Sequence, residues 1–358
     1  MELWFSLVAF LLLCSSLHAL IKLFRTTKKL PPGPPTIPVI GNFLWLLKTS
    51  KSFSNVEPVL RQLRAKYGPI VTLYLGSQPS IFITNRDTAH RALVQGGSAF
   101  ASRPLAVQAT QVIFSNHRTI AMIPYGNQWR ILRQNLMSSI HPTRLNSYSP
   151  CRRWALEVLK NRLAREAKLG RPVRVVDHIQ HAMFCLLIYM LFGDEIKDDD
   201  LKRMPYLNAV VLETLRRHPP GHFIIPRAVV EDTKFDGYDI PRNAMVNFTV
   251  ADMGWDPKVW EEPMEFKPER FLSDGENAHQ VFDIKGVREI KMMPFGAGRR
   301  ICPAISLAIL HQQYFVANLI RDFKWTAENG CDVDLSEKQD FTIVMKSPLM
   351  AFISPRIN

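Results

Sequence analysis

The chain has 358 residues, of which 47% are hydrophobic and 22% charged, so it can bury a substantial core and is not intrinsically disordered. Its five cysteines are odd in number and widely spaced, which argues against a disulfide framework and favours a reducing compartment. The formal net charge of +13 comes from lysines and arginines spread along the sequence. That distribution disfavours a nucleic-acid-binding protein. It leaves either a simply solvated basic surface or one that attracts anionic lipid or an acidic protein.

The N-terminus carries an apolar run over residues 3–21, about the length that crosses the hydrocarbon core of a bilayer. Glu2 precedes the run, whereas basic residues follow it between Lys22 and Lys29. A cleaved signal peptide is the alternative, but it would carry positive charge before the apolar stretch. We therefore expect a single membrane helix over residues 1–25, with the remainder of the chain in the cytosol.

A proline-rich segment at residues 30–35 follows the apolar run and cannot be helical. Polyproline geometry would make residues 26–38 a semi-rigid spacer between the membrane helix and a main domain over residues 39–358. The alternative is a proline-rich ligand for a separate protein domain.

Further along the chain, two strands are predicted at residues 70–75 and 80–83, with a turn between them. Helices are predicted at residues 152–168 and 177–192, and the second is so apolar that we expect it to lie inside the protein. Another helix opens at Pro205. The expected fold class is mainly α with a small β region.

Two pairs of side chains share one face of a predicted helix. Trp129 and Arg133 are four residues apart, and Glu213 and Arg216 are three apart. On their own, the first pair indicates a structural cation–π or surface contact. The second pair indicates a surface ion pair worth well under ~1 kcal/mol.

Short β elements are predicted between and after these helices. Residues 223–227 are typical of a strand that ends in Arg227, which as an isolated arginine is expected at the surface. Residues 236–237 form an Asp-Gly turn. Near the C-terminus, residues 341–345 and 349–353 are predicted to pair as a hairpin.

A glycine-rich loop at residues 293–303 delivers Cys302 to the start of an apolar helix that runs toward Phe323. Pro303 suits the first helical position because its missing N–H has no intrahelical partner there. Backbone N–H groups and the positive end of the helix dipole favour a thiolate, which is the form of cysteine that binds a metal. Arg300 adds a fixed positive charge suited to a carboxylate.

Other interpretations of this loop need residues that the sequence lacks. A dinucleotide-binding fingerprint needs a third glycine where Ile301 stands, and a P-loop needs a Gly-Lys-Ser/Thr sequence. A zinc site needs several Cys or His at short spacing, but none follows Cys302 before His311. An inert buried cysteine is the default for a lone Cys. The surrounding string nevertheless favours a single-thiolate metal site.

The string Phe-x-x-Gly-x-Arg-x-Cys is formed by Phe295, Gly298, Arg300 and Cys302. It resembles the haem-thiolate loop of the cytochromes P450, and the surrounding sequence resembles plant microsomal members. The family often has glycine two residues after the cysteine, where this chain has Ala304, whose methyl group suits a helix. The resemblance implies haem b with the Cys302 thiolate as the axial ligand of the iron.

The resemblance also implies a function and a location. It implies a monooxygenase that inserts one oxygen atom of O2 into a small, lipophilic organic substrate with electrons from NADPH. The implied partners are NADPH–cytochrome P450 reductase, membrane lipid and the substrate, with no nucleic acid. The implied location is the endoplasmic reticulum membrane, crossed once, with the main domain facing the cytosol.

Several residues that are weak signals alone gain roles from the resemblance. Arg133 and Arg227 would bind haem propionates, and Trp129 would close the edge of the haem. The implied cofactor-binding residues are Trp129, Arg133, Arg227, Phe295, Arg300 and Cys302, the last of which is the metal ligand. The implied structural residues form a buried cluster that locks the loop beneath the haem, namely Glu213, Arg216 and Arg270.

The sequence departs from the family between Phe192 and Met204. The family places several helices there, including one that crosses the distal face of the haem with an Ala/Gly-Gly-x-Asp/Glu-Thr motif, which this sequence lacks. Such a helix needs about 20 residues, so the short acidic segment 193–204 cannot replace it. We expect an internally truncated P450 fold, no distal catalytic residue and exposed apolar faces. The alternative function is a catalytically inactive, membrane-anchored remnant.

Overall fold

The computed structural model describes residues 4, 8, 10–16, 29–37, 40–42, 46, 56–75, 78–104, 117–192, 205–242, 244–272, 282–328 and 333–356. The chain divides into two compact units. The sheet unit comprises Met1–Pro124 and Ile225–Thr249. The helical unit comprises Tyr125–Ile224 and Val250–Asn358.

Helices and strands are numbered in chain order. The helices are α1 (Glu57–Tyr67), α2 (Arg86–His90), α3 (Asn127–Ile140), α4 (Pro142–Leu145), α5 (Ser149–Ala167), α6 (Val175–Phe192), α7 (Pro205–Arg217), α8 (Ala251–Gly254) and α9 (Ile305–Asp322). The strands are β1 (Ile70–Leu75), β2 (Gln78–Ile83), β3 (Val173–Arg174), β4 (Arg227–Ala228), β5 (Thr233–Phe235), β6 (Tyr238–Ile240), β7 (Met245–Phe248), β8 (Phe323–Ala327), β9 (Glu337–Gln339), β10 (Ile343–Met345) and β11 (Met350–Pro355). These elements confirm the expected fold class, mainly α with a small β region.

The sheet unit is built on a four-stranded sheet in the order β1-β2-β7-β4. β1 and β2 are antiparallel, with Ile70 opposite Ile83, and β2 and β7 are parallel, with Ile81 opposite Val246. Branched apolar side chains suit such a pleated surface, and Val71, Ile81 and Val246 are completely buried. The first two predicted strands are therefore confirmed, with β2 beginning slightly earlier than expected.

The proline-rich segment lies along β1 instead of standing free. Pro31 and Pro34 are buried, and the carbonyl of Pro32 accepts a hydrogen bond of 2.9 Å from the N–H of Thr72. A Cβ at Gly33 would lie 1.9 Å from the carbonyl oxygen of Thr72, so this close approach requires glycine. The segment thus packs within the sheet unit, and its role as a spacer between a membrane helix and the main domain stays a prediction.

The N-terminal apolar run is only partly covered by the structure. Residues 10–16 are helical, and the side chains from Phe10 to Leu13 are exposed. Most of the membrane helix expected over residues 1–25 lies outside the described residues. Within the described part of the chain, no helix combines the length and the apolar character needed to cross a membrane.

The core of the helical unit lies between α5, α6, α9 and the sheet β3-β11-β8. Its fully or largely buried members include Cys151 on α5, Leu186 on α6 and Phe315 on α9. Pro150 stands in the first turn of α5, a position that tolerates its missing N–H. β11 is the central strand and pairs antiparallel with both β3 and β8. The core therefore combines elements that precede and follow residues 193–204.

Among the side chains of α6 that the structure describes, one stripe is buried and another is exposed, so the prediction of a wholly internal helix is wrong for this part. Ala182 and Leu186, one turn apart, are completely buried, whereas Phe184 and Leu187 are 64% and 51% exposed. A helix packed against one layer buries a single stripe of its surface. The exposed second stripe agrees with the expectation that an internal truncation leaves apolar faces uncovered.

The strand expected over residues 223–227 is also wrong, because pairing in the sheet starts only at Arg227. Pro226 has no N–H to donate to a ladder, which explains the late start. By contrast, the predicted turn at Asp236 and Gly237 is confirmed, since both have positive φ, +51° and +79°, and join the antiparallel strands β5 and β6.

The C-terminal hairpin is formed by other strands than expected. β10 pairs with β9 around a turn in which the N–H of Asp340 donates to the carbonyl of Thr342. The strand that follows, β11, pairs with β3 and β8 instead. The predicted pairing of residues 341–345 with 349–353 is therefore wrong, because both segments pair with other strands of the helical unit.

Candidate functional site

The loop before α9 holds Cys302 by short internal hydrogen bonds. The N–H of Cys302 donates to the carbonyl of Phe295 over 2.9 Å, and the N–H of Ile301 donates to the carbonyl of Gly298 over 3.0 Å. Gly296 and Gly298 have φ angles of +70° and +69°, in the left-handed region that favours glycine. The two glycines therefore let the backbone turn sharply and bring Cys302 beside Phe295.

The helix after this loop begins at Ile305, later than predicted. Ala304 is its N-cap, with φ −96° and ψ 23°, and Pro303 lies in the preceding turn. The prediction that Pro303 is the first helical residue is therefore wrong. Since the effect of a helix dipole falls off beyond the first turn, the loop itself, more than α9, sets the surroundings of Cys302.

The side chain of Trp129 on α3 gathers two arginines beside the loop. The guanidinium carbon of Arg300 lies 4.9 Å from the centre of the Trp129 ring, and that of Arg133 lies 5.9 Å from it. Nη1 of Arg133 also donates to the carbonyl oxygen of Ile301 over 2.8 Å. The structure thus brings Trp129, Arg133 and Arg300 together with the peptide that precedes Cys302.

Burial disfavours the charged forms of the two arginines beside Trp129. Burial lowers the pKa of Arg300 to about 10, against the opposing effect of Tyr125, and the positive charge of Arg133 adds to the lowering. Burial also lowers the pKa of Arg133, while the nearby Cys302 opposes that shift. Cations that are withdrawn from water and close together gain from a nearby anion. The site is therefore suited to an anionic group.

The residues present fit a haem group. A haem iron needs one axial sulfur, which Cys302 offers from a closed loop, and the two haem carboxylates need cationic donors, which Arg133 and Arg300 offer. Trp129 is buried and Phe295 half-buried, so both can line an apolar ring. Among the described residues, no three His, Cys, Asp or Glu side chains form a competing multi-ligand site.

The remaining predicted cofactor residue, Arg227, lies in the sheet unit and is 2% exposed, contrary to the surface position expected of an isolated arginine. Arg103 of the same unit holds the chain just before it. Nη1 of Arg103 donates to the carbonyls of Ile225 and Pro226 over 2.7 and 2.9 Å, and Nε donates to that of Ala121 over 2.6 Å. Sequence reasoning missed Arg103, because an arginine before a proline carries no signal of its own.

The three residues of the predicted structural cluster lie together in the helical unit. Nε and Nη2 of Arg216 donate to the two carboxylate oxygens of Glu213 over 2.7 and 2.8 Å, and neither side chain is exposed. Arg270 and the N–H of Lys267 also donate to Glu213, over 3.2 and 2.8 Å. Burial alone would raise the pKa of Glu213, but these hydrogen bonds hold it below its ordinary value. The pair is therefore not the surface ion pair that its spacing alone indicates.

Comparison with known proteins identifies the family. The chain matches the family model described as cytochrome P450 over residues 31–198 and 193–353. The chain belongs to the cytochrome P450 family. It is 36% identical to cytochrome P450 89A9 of Arabidopsis thaliana, in an alignment that covers 93% of this chain and 95% of that protein. It is 26% identical to 5-epiaristolochene 1,3-dihydroxylase of Nicotiana tabacum and 24% identical to strychnine-11-hydroxylase of Strychnos nux-vomica, each over 98% of both chains.

Membership confirms the resemblance to plant members and the cofactor that it implies. Cytochromes P450 use haem with a cysteine thiolate as axial ligand, and their activity is haem-thiolate monooxygenation. Cys302 stands in the loop whose spacing carried that resemblance. The individual roles of Trp129, Arg133, Arg227 and Arg300 toward haem stay predictions.

The comparisons also bear on the shortened centre of this P450. The alignment with cytochrome P450 89A9 runs over 489 positions, although this chain has 358 residues. The two segments that match the family meet at residues 193–198. Both facts agree with the interpretation that a central part of the family sequence is missing, while the bounds of the deletion, near residues 193–204, stay a prediction.

Proposed function

We propose that this P450 binds haem through Cys302 and is built to insert one oxygen atom of O2 into a small, lipophilic organic substrate with electrons from NADPH. The observation that carries the proposal is the grouping of Cys302, Arg133, Arg300 and Trp129 around one closed loop. Two relatives are named for the hydroxylation of 5-epiaristolochene and strychnine, which supports hydroxylation of an organic substrate here.

Each residue of the grouping has a distinct task in this proposal. When bound, the haem supplies the activation of dioxygen. The sulfur of Cys302 would bind the iron and supply electron density to it, and the guanidinium groups of Arg133 and Arg300 would hold the carboxylates. Trp129 excludes water from the arginines, which strengthens their attraction for a carboxylate. The cluster around Glu213 keeps the segments that it bonds in place, so its task is structural.

The proposal extends to an electron donor and a membrane. Arg299 is exposed and donates to the hydroxyl of Tyr125 over 2.8 Å, and Arg130 is also exposed, with its guanidinium carbon 5.2 Å from the centre of the Tyr125 ring. Exposed positive charge beside the loop favours an acidic partner, which we propose to be NADPH–cytochrome P450 reductase. The apolar residues 3–21 and the basic residues after them favour a single-pass anchor in the endoplasmic reticulum membrane, with the main domain in the cytosol.

A second candidate function is a catalytically inactive remnant. It is favoured by the short junction between α6 and α7, residues 193–204, and by the exposure of Phe184 and Leu187 on α6. Without the helix that the family places over the distal side, a bound haem would be open to water, and no side chain from that helix would guide protons. We therefore propose that haem ligation is retained and that coupled turnover is weak or lost.

The test separates ligation from catalysis. The full chain is expressed beside Cys302→Ala and the control Cys185→Ala, and the reduced, carbon-monoxide-bound absorption spectrum is recorded. We expect a thiolate-shifted Soret band in the parent and in Cys185→Ala and none in Cys302→Ala. The absence of a band in all three would overturn the haem proposal.

Catalysis is tested with added reductase by comparing NADPH consumption with product formation. We expect consumption without matching product in this chain. A chimaera that carries the central segment of cytochrome P450 89A9 at the junction is expected to recover coupling. Coupled turnover by the unaltered chain would overturn the second candidate function.

A further inference from the structure

The peptide group between Ile301 and Cys302 is held at both ends. Its N–H donates to the carbonyl of Phe295 over 2.9 Å, and its carbonyl accepts from Nη1 of Arg133 over 2.8 Å. Because a peptide group is planar, fixing both its donor and its acceptor fixes the orientation of the plane from which the Cα of Cys302 projects. The direction of the cysteine side chain therefore depends on a residue of another element, α3.

Several other hydrogen bonds of the loop act locally. The N–H of Gly296 donates to Met293, and that of Ile301 donates to Gly298, so both close turns within the loop. Such bonds set the shape of the loop but not its place against α3. Arginine bonds join the loop to the region of α3, among them that of Arg299 to the hydroxyl of Tyr125 and that of Arg133 to the carbonyl of Ile301. The second lies directly beside Cys302.

We propose that Arg133 is a positioning residue for the ligand cysteine, in addition to its implied contact with a haem carboxylate. A guanidinium carries five N–H donors in a rigid fork. Arg133 donates one of these N–H groups to the carbonyl of Ile301, so the same guanidinium has further donors with which to bind a carboxylate. Arg133 would thus join the carboxylate site to the cysteine loop. The carboxylate contact rests on the proposed function, whereas the hold on the loop does not.

The first experiment uses the full-length apoprotein and needs no haem. Iodoacetamide alkylation of Cys302 is timed by mass spectrometry in the parent, Arg133→Gln and the control Arg165→Gln, whose exposed arginine on α5 donates to Asn161 of its own helix. Rates are compared at their high-pH plateaus, where the loss of a neighbouring cation no longer limits ionisation of the thiol. We expect the plateau rate of Cys302 to rise at least about tenfold in Arg133→Gln, the effect of losing one hydrogen bond from a charged donor. Arg165→Gln is expected to match the parent. Equal rates in all three proteins would overturn the proposal.

Should Arg133→Gln fail to fold, Arg133→Lys is measured in its place. The lysine ammonium keeps the positive charge but lacks the rigid fork of donors of a guanidinium. Because it holds the carbonyl of Ile301 less well, alkylation of Cys302 should still be faster than in the parent. A rate equal to that of the parent would again overturn the proposal.

The second experiment separates positioning from carboxylate binding. The proteins are reconstituted with haem or with haem dimethyl ester, which has no free carboxylates, and the fraction of bound haem with a thiolate-shifted Soret band is measured. We expect Arg133→Gln to lower this fraction with both groups. A deficit with haem alone would mean that Arg133 acts only on the carboxylates, and would overturn the positioning role. If no protein binds either group, the proposed function fails, and the alkylation rates still decide the positioning role.

Discussion

Removal of the charge of Glu213 should strongly destabilise the helical unit. Glu213→Gln keeps the shape of the side chain but leaves the buried guanidinium of Arg216, which is bonded to both carboxylate oxygens, without its counter-charge. Breaking a buried ion pair from one side costs about 3–5 kcal/mol. Total stabilities are about 5–15 kcal/mol, so this is a large share. At about 2–4 °C per kcal/mol, the midpoint of thermal unfolding should fall by roughly 6–20 °C.

The chain offers a matched control for this effect. Glu157 and Lys160 on α5 have the same spacing, with 3.0 Å between Oε1 and Nζ, but Glu157 is 58% exposed. Glu157→Gln should therefore change stability by no more than about 0.5 kcal/mol. Thermal and urea unfolding of the two variants, followed by circular dichroism, make the comparison. Equal midpoints would refute the reasoning that burial gives the Glu213 pair its importance.

Removing Arg216 as well should not restore the stability that Glu213→Gln loses. Arg216 also donates from Nη1 to the carbonyls of Gly254 and Pro263, over 2.6 and 2.8 Å. Combining Glu213→Gln with Arg216→Met would remove the orphaned charge but leave these carbonyls without that donor. The double variant should remain destabilised. Full recovery would mean that the ion pair, and not the wider network, stabilises this region.

Two further predictions concern acid stability and the exposed face of α6. Burial would raise the pKa of Glu337, but its bonds to His218 and His222, of 2.6 and 2.9 Å, hold it at about 2. A lowered pKa adds stability that is present above the ordinary value of 4.5 and is lost as the pH falls toward 2. The urea midpoint of the parent should therefore fall with pH over that range, and that of Glu337→Gln should change less. Phe184→Ser should lower light scattering of the folded protein with a change in stability within about 0.5 kcal/mol, whereas Leu186→Ala should cost about 2–5 kcal/mol.

The cysteine loop could be predicted from sequence because its determinants are local. Two glycines with positive φ and an arginine lie within a few residues of Cys302, so their spacing alone specifies the turn. The start of α7 could be predicted for the same reason, since Pro205 opens it. The predicted start of α9 at Pro303 was two residues too early, because Ala304 is the N-cap. Helix ends are uncertain by one or two residues unless the cap geometry is known.

Contacts between distant segments could not be predicted in this way. β11 pairs with β3, which joins Ala351 to Val173, and no local pattern distinguishes this pairing from a hairpin with β10. The burial of Arg216 is likewise set by carbonyls of Gly254 and Pro263, far along the chain from its own helix. Arg103 escaped notice for the same reason, because its carbonyl partners become visible only after folding.

The location of the shortened junction explains how ligation and catalysis can separate in this P450. Elements on both sides of residues 193–204 meet in one core: α5 and α6 before the junction pack with α9 and β11 after it, and β3 pairs with β11 across it. The core that carries α9, and with it the loop of Cys302, is therefore not cut by the deletion. The predicted deletion would instead account for the exposure of Phe184 and Leu187 on α6. A chain shortened at this point keeps the framework of the thiolate loop and loses apolar contacts elsewhere, so haem ligation should outlast coupled turnover.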